Sequence, residues 1–356
     1  MKIYTFTTVK DEEDIIESFV RYHMNFVDGM IISDNYSNDS TLSILKKLKQ
    51  EGLNIDILED HNQYFDQNKK RKELFDYTFN KYNPDFIFPI DSDEFIATYD
   101  GTNPRDIIEN LDKTKLFHYK MVNYVINKND DKNELFIPLK MQHIRIEDTK
   151  EGNTYKCFIP NKIINKNLVL LMGCHSAKYI NDDKLEYETL DNLFLAHYPV
   201  RSKKQLMNKV IIGRLNNSSL HSRKEGLGFH QYEILDEIIK NGDISDKTLN
   251  EISKNYGIKD KKKIKKIVKS PLNVAFCKNI DIKYYNYNNS NLLSNTIKAS
   301  ETIIDHMREK YNENNSKYLK ISKEFKKLLD EYNEIINSKR WKFICKISNI
   351  KNIFKK

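Results

Sequence analysis

Short apolar runs alternate with stretches of helical period along the first hundred residues. Ile3 to Val9 is a continuous aromatic and β-branched run, and residues 11–26 then carry Ile15, Ile16, Phe19, Val20 and Tyr22 at the spacing of one helix face. The cycle repeats with Met30-Ile31-Ile32, a polar turn over 34–40, and a helix bearing Leu42, Leu45 and Leu48 that Asp39 or Ser40 can cap. Residues 55–58, a helix over 69–82 and a last run over 86–90 complete β-α-β-α-β-α-β. Strands that are apolar throughout are buried on both faces, so the pattern predicts a mostly parallel α/β sheet with helices on either side.

Beyond Thr98 the runs shorten, with strand candidates at 116–125, 135–146, 155–164, 168–172 and 193–197. They read as the second half of the same domain. A helix over 203–216 follows, then further helical stretches through Lys269, with the basic run 259–269 as a solvated helix face. After Asn295 the period changes. Ile304, Met307, Tyr311, Asn314, Tyr318, Ile321, Phe325, Leu328, Tyr332 and Ile335 alternate steps of three and four, a heptad seam with one polar position. The seam predicts a coiled coil, and hence a homo-oligomer through 304–335, with equal weight on a single helix that packs back on its own domain. The end of the chain sets Trp341, Phe343, Ile344, Ile347, Ile350 and Phe354 among Lys342, Lys346, Lys351, Lys355 and Lys356. A basic amphipathic end of this kind suits peripheral contact with an anionic membrane through 339–356, or oligomer packing. The expected organisation is 1–215 as one α/β domain (1–98 and 99–215 as its halves), 216–295 as a helical extension, and 296–356 as the coiled-coil-like helix and tail.

The net charge of +8 sharpens this division: from Lys259 onward there are 24 basic and 10 acidic residues, so the basic character belongs to the tail. Lysine and asparagine are abundant throughout, which reads as compositional bias, and no nucleic-acid partner is expected. The chain opens on a strand-like run without a signal-peptide pattern, and no apolar stretch is long enough to span a bilayer. Cys157, Cys174, Cys277 and Cys345 are scattered, against zinc ribbons and disulfide frameworks; a cytoplasmic setting, with contact at the inner face of the membrane, fits best.

The densest chemistry is in Phe86-Ile87-Phe88-Pro89-Ile90-Asp91-Ser92-Asp93-Glu94-Phe95, an apolar strand that ends in three carboxylates. Ligands of open α/β sheets bind beyond the carboxyl ends of strands. Asp91 and Asp93, one residue apart, can point to one side of an extended backbone and share a hard divalent cation with phosphate oxygens. A solvated turn is the plainer account of an isolated Asp-x-Asp. The other strand ends supply company: Thr8, Lys10 and Glu12 after the first, Asp34, Asn35 and Asp39 after the second, and Asn68 to Lys72 after the third. Carboxylates and amides of the first two loops can grip a base and ribose, and the lysines up to Lys72 a diphosphate.

The string TTVKDEEDIIESFVRYHMNFVDGMIISDNYSNDSTLSIL, followed by FIFPIDSDEF and later HYPVRS, resembles the family-two-type glycosyltransferases of bacteria, which have a GT-A fold. The likeness covers roughly residues 1 to 215 with its motifs in order; Asp11 stands where Asn is common and Phe19 where Trp is common. The resemblance implies a Rossmann-like sheet and transfer of a sugar from a nucleotide-sugar, most often a UDP-sugar, with Mn²⁺ or Mg²⁺. It implies Asp93 as a direct metal ligand, Asp91 nearer the ribose, Glu12 and Asp34 at the nucleoside, and His197 completing the metal site. The acceptor would be a glycan or lipid-linked acceptor in surface polysaccharide or glycoconjugate synthesis, with inversion carried over from the family. The Ser338-Lys339-Arg340-Trp341-Lys342 end also resembles those that follow coiled coils in such enzymes. For the general base that an inverting displacement needs, Glu94, Glu147, Asp148, Asp182 and Asp183 are all candidates, and His175 is placed at the acceptor side. Two other classes compete: nucleotidyl transfer, against which the first loop lacks a glycine-rich phosphate cradle, and a coiled-coil scaffold whose sheet domain only binds a ligand.

Overall fold

The apolar runs of the N-terminal half form strands because each has helices on both sides of it. The computed structural model describes residues 1–60, 67–147, 154–181, 184–218, 229–258, 264–278, 280–286 and 291–344. Its first half runs β1 (Ile3–Val9), α1 (Ile16–His23), β2 (Gly29–Asp34), α2 (Thr41–Gln50), β3 (Ile55–Glu59), α3 (Gln67–Tyr82) and β4 (Phe86–Pro89). The strands lie parallel in the order β3-β2-β1-β4. Ile16, Phe19 and Val20 of α1 and Leu45 and Leu48 of α2 fill one core, while Leu74 and Phe75 of α3 join Tyr4, Phe6 and Ile87 in another. Helix α1 starts later than its periodicity suggests, because Asp11 takes a left-handed conformation at φ 54° and turns the chain after β1. Gly29 opens β2 where a Cβ would stand 2.5 Å from the Tyr4 ring, so a side chain there would collide.

The second half continues with β5 (Glu94–Thr98), α4 (Pro104–Ile108), β6 (Leu116–Val125), α5 (Ile137–Lys140), β7 (His143–Glu147), β8 (Tyr155–Pro160), β9 (Leu168–Leu170), β10 (Ala177–Tyr179) and β11 (Tyr187–His197). β8 pairs antiparallel with both β4 and β6, β6 runs parallel to β11, and β11 runs antiparallel to β5. This knits the mixed half onto the parallel one and carries His197 to the end of β4. The short β9–β10 hairpin lies apart from the main sheet.

Three expectations need correcting. Residues 135–146 are not one strand: Pro138 sits in the first turn of α5, where it cannot serve a ladder, and pairing resumes only at β7. The basic run does not form a helix face in its described part. After α6 (Lys203–Ser218), α7 (Phe229–Asn241) and α8 (Asp246–Asn255), residues 264–269 form β12 (Ile264–Lys269), antiparallel to β7 at the sheet edge. Lysines are a common protection of an exposed edge, which is why this strand looks like a solvated helix in sequence. The stretch 216–295 is accordingly not purely helical; residues 283–285 are neither helix nor strand and lie against α1, where backbone amides of Lys283 and Tyr284 donate to the buried Glu17 carboxylate at 2.9 and 2.8 Å.

The chain divides into two compact units, Met1–Ser300 and Glu301–Lys356. The first holds the sheet. The second is the greater part of α9 (Leu292–Asn337) and further helical turns to residue 344, with the seam side chains from Ile304 to Ile335 exposed. Ile347, Ile350, Phe354 and the last lysines lie outside the described residues. The fold class is therefore the expected one: α/β, with a mostly parallel Rossmann-like half, a mixed half, and a helical C-terminal region. No helix among the described residues is long and apolar enough to cross a membrane.

Candidate active site

Carboxylates gather at the carboxyl ends of β1, β2 and β4, where a parallel sheet leaves backbone groups free and loops meet. After β4 the chain turns at Asp91-Ser92-Asp93, closed by the Glu94 amide donating to the Asp91 carbonyl at 3.0 Å, and re-enters the sheet as β5. The turn directs the two aspartates to different partners. Asp91 accepts from Arg71 of α3 and Lys156 of β8, each at 2.9 Å, and its carboxylate is 42 % exposed. Burial raises the affinity of Asp91 for its proton, but Lys156 and Arg71 outweigh burial and hold it below the usual carboxylate range. Glu94 is fully enclosed: its Oε2 accepts the Asp91 amide at 2.7 Å and pairs with Lys156. Burial, only partly offset by Lys156, pushes Glu94 up to about 7.

Asp93 faces a different set. His197, at the end of β11, places Nε2 3.7 Å from Asp93 Oδ1, while Lys209 of α6 places Nζ 3.6 Å from Oδ2. The Tyr198 amide donates to the Asp93 carbonyl at 2.8 Å and fixes the turn against β11. Burial opposes ionisation of Asp93, yet Lys209, then His197 and Arg201, hold it far below the usual range. Asn123 Oδ1 lies 2.7 Å from His197 Nδ1. With Nδ1–H donating there, a neutral ring keeps its lone pair on Nε2, the atom turned toward Asp93. A carboxylate oxygen and an imidazole nitrogen facing one another in this way suit a divalent ion that takes its other ligands from phosphate and water. Among the described residues no group of three or more His, Cys, Asp or Glu side chains could hold a metal ion. Asp91, expected as a further ligand, has its carboxylate drawn to Arg71 and Lys156.

The first two loops are tied together. Lys10 Nζ donates to the carbonyls of Asn35 and Tyr36 at 3.0 and 2.9 Å. Glu12 is braced by Arg201, which also forms two 2.8 Å bonds to the Asp14 carboxylate. Burial pushes Glu12 up to about 7 in spite of Arg201 and Lys209. Asp34 accepts the Ser37 amide at 3.0 Å through Oδ2, and its Oδ1 is buried without a partner among the described atoms. An orphaned acceptor at the end of a central strand has room for a donor from a ligand. Asn35 Oδ1 is met by Lys70 at 3.4 Å. Asp39 precedes Ser40, the N-cap residue of α2, and its carboxylate is occupied at the start of that helix, accepting the Thr41 amide at 2.9 Å and the Glu13 amide at 3.1 Å. Thr8 stands in β1 opposite Ser33.

Several candidates lie elsewhere. Lys72 is exposed and pairs with Asp76 on its own helix; the site-facing cations of α3 are its neighbours Lys70 and Arg71, each 8 % exposed. The Asn68 side chain, Asp148, Asp182 and Asp183 lie outside the described residues, and Glu147 ends β7. His175 follows the turn between β9 and β10, exposed, with Nδ1 2.6 Å from the Tyr155 carbonyl. The tight turn needs Gly173 at φ 73°, and Cys174 beside it feels the charges of Arg71, Lys156 and Asp91. This brings the hairpin to the Asp91 side of the site. Arg71 belongs to the expected 68–72 segment, whereas Lys156, Lys209 and Asn123 stand outside the strand-end loops that the sequence singles out. For Lys156 a signal existed: a lone lysine inside Tyr-Lys-Cys-Phe-Ile-Pro must be buried on a strand, and a buried lysine needs acidic partners.

No family model matches the chain, and no curated protein matches it. Among solved structures it is similar to glucosyl-3-phosphoglycerate synthase from Mycobacterium tuberculosis, in complex with Mn²⁺, UDP and glucosyl-3-phosphoglycerate, at 18% identity over 34% of this chain and 44% of that one, TM-score 0.23. It is also similar to the mannosyltransferase PcManGT from Pyrobaculum calidifontis, in complex with GDP-Man and Mn²⁺, at 9% identity over 72% of each chain, TM-score 0.33. HddC from Yersinia pseudotuberculosis gives 9% identity over 55% of this chain and 92% of that one, TM-score 0.31. The chain thus spans less than half the length of the synthase. Likenesses of this size leave the functional reading to the geometry of the site itself.

Proposed function

We propose that the chain is a glycosyltransferase that moves a sugar from a nucleotide diphosphate sugar, a UDP-sugar foremost, to a glycan or lipid-linked acceptor in surface polysaccharide or glycoconjugate synthesis, with inversion at the sugar carbon. The observation that carries this reading is the Asp93–His197 pair, with Asn123 at the imidazole and with Lys209, Arg71 and Lys156 around it, just past the carboxyl end of β4. Asp93 and His197 would hold Mn²⁺ or Mg²⁺, the imidazole favouring Mn²⁺. When bound, the ion neutralises charge that develops on the departing diphosphate. Lys209 and Arg71 add fixed positive charge beside the same carboxylates, suited to phosphate oxygens. Asp34, with its orphaned Oδ1, and Asn35 face the nucleoside end; Glu12 is held in place by Arg201. Glu94 positions Asp91 and Lys156 and is too enclosed to meet an acceptor hydroxyl. The His175 turn would border the acceptor.

Calorimetry with MnCl₂ and UDP on the wild type, Asp93→Ala and His197→Ala tests the reading, followed by hydrolysis assays over UDP-, GDP- and CMP-sugars. Manganese-dependent nucleotide binding that both substitutions abolish supports it. Equal binding in all three proteins, or none in the wild type, overturns it. The amphipathic end is read as a peripheral membrane contact: removing residues 339–356 should release the protein from anionic vesicles, and unchanged binding would refute that part.

A further inference from the structure

The exposed seam of α9 has an internal order that selects a partner and an orientation. Set as a heptad, its a positions are Ile304, Tyr311, Tyr318, Phe325 and Tyr332, aromatic after the first. Its d positions are Met307, Asn314, Ile321, Leu328 and Ile335, none of them aromatic. These side chains are exposed, Tyr318 and Phe325 by 68 % and 65 %. A run of large apolar residues on one side of a single helix needs a covering surface.

We propose that α9 pairs with α9 of a second copy of this chain in an antiparallel coiled coil. Two features select this orientation independently. The first is volume. A parallel pair stacks a on a and d on d, so Tyr311, Tyr318, Phe325 and Tyr332 would each meet themselves and Asn314 would meet Asn314. An antiparallel pair sets each a against a d of the partner: Tyr318 on Ile321, Tyr311 on Leu328, Tyr332 on Met307, Phe325 on the small Asn314. An aromatic side chain then meets a smaller, non-aromatic one in every aromatic layer, which evens the volume along the seam.

The second feature is charge. The g positions that flank the seam read Lys310, Lys317, Glu324 and Glu331. They are positive in the first half and negative in the second. In a parallel pair g faces e of the next heptad, here Asn315, Ser322, Leu329 and Ile336, and no ion pair results. In the antiparallel pair g faces g, so Lys317 meets Glu324 and Lys310 meets Glu331, each twice by symmetry. The register that matches the side-chain volumes also matches these charges, with its twofold axis between Leu319 and Lys320. Glu331 leans on Lys327 of its own helix at 3.7 Å, an exposed contact too weak to hold it from a better partner.

Sedimentation equilibrium on the full-length chain and two charge variants tests the proposal. The wild type should be a dimer. The pair of changes K310E and K317E makes the flank wholly acidic and should weaken association by about tenfold or more, as should E324K with E331K, which makes it wholly basic. Mixing the two variants should restore association to near the wild-type strength. Far-UV circular dichroism verifies that α9 is still helical in each. A monomeric wild type overturns the proposal, and so does a wild-type dimer whose dissociation constant is insensitive to both pairs of changes, the behaviour of a parallel coil. The inference rests on the helix alone and stands or falls apart from the proposed activity.

Discussion

Replacing Lys156 by methionine tests the electrostatic core of the candidate site. Lys156 has 2 % of its side chain exposed and binds two acids, Asp91 at 2.9 Å and the equally enclosed Glu94. Despite burial, which favours the neutral amine, those acids hold its ammonium above the usual lysine range, so it is charged at every pH near neutrality. Lys156→Met keeps the volume of the side chain and removes the charge. Asp91 retains Arg71, but Glu94 loses its cation, and breaking one side of a buried pair costs about 3–5 kcal/mol. In a domain of this size each kcal/mol is worth about 2–4 °C in the melting temperature. The expected drop at pH 8 is therefore about 6–20 °C, followed by circular dichroism at 222 nm. Because an unpaired Glu94 escapes the penalty by taking up a proton, the loss should shrink at pH 5. Adding Glu94→Gln should recover about 1–3 kcal/mol of the loss, the coupling expected between groups in one network. Strict additivity of the two changes, or a Lys156→Met protein as stable at pH 8 as the wild type, would falsify the account of Lys156 as the counter-charge of Glu94.

Other outcomes follow from the same geometry. Glu94 has its folded value raised to about 7 from an ordinary 4.5, so its contribution favours the fold below about pH 4.5 and is lost as pH rises to about 7. Glu94→Gln should flatten that part of the stability–pH profile by about 3 kcal/mol, measured by urea denaturation across the window. Asn123→Leu removes the acceptor that orients His197; Mn²⁺ affinity by calorimetry should fall about 10- to 100-fold while Asp93 stays in place, and unchanged affinity would count against the assigned tautomer. Arg201→Lys keeps the charge but not the forked contact with Asp14 and Glu12, and should cost about 1.5–3 kcal/mol by chemical denaturation; a neutral result would mean the clamp adds nothing to the fold.

Much of this molecule is written locally. The β-α alternation of the first half is legible because a strand buried on both faces must be apolar, and an amphipathic helix must repeat near 3.6 residues; β1, β2, β4, α1 and α2 follow these rules without reference to the rest of the chain. The Asp91-Ser92-Asp93 turn is legible for the same reason, since it ends such a strand, and the heptad of α9 states its own apolar face. What tertiary structure decided are the partners. Whether Arg71 or Lys72 faces the site depends on the rotation of α3 about its axis, where one position means about 100° and sequence spacing says little. Lys156 meets Glu94 across 62 residues, and His197 meets Asp93 through the pairing of β11 with β5, contacts that register sets and no local window contains. β12 became a strand because an open sheet edge was there to receive it. The sequence by itself determined which residues carry charge at the ends of strands; the fold determined which of those charges meet, because a pair separated far along the chain is brought together only by the packing of everything between.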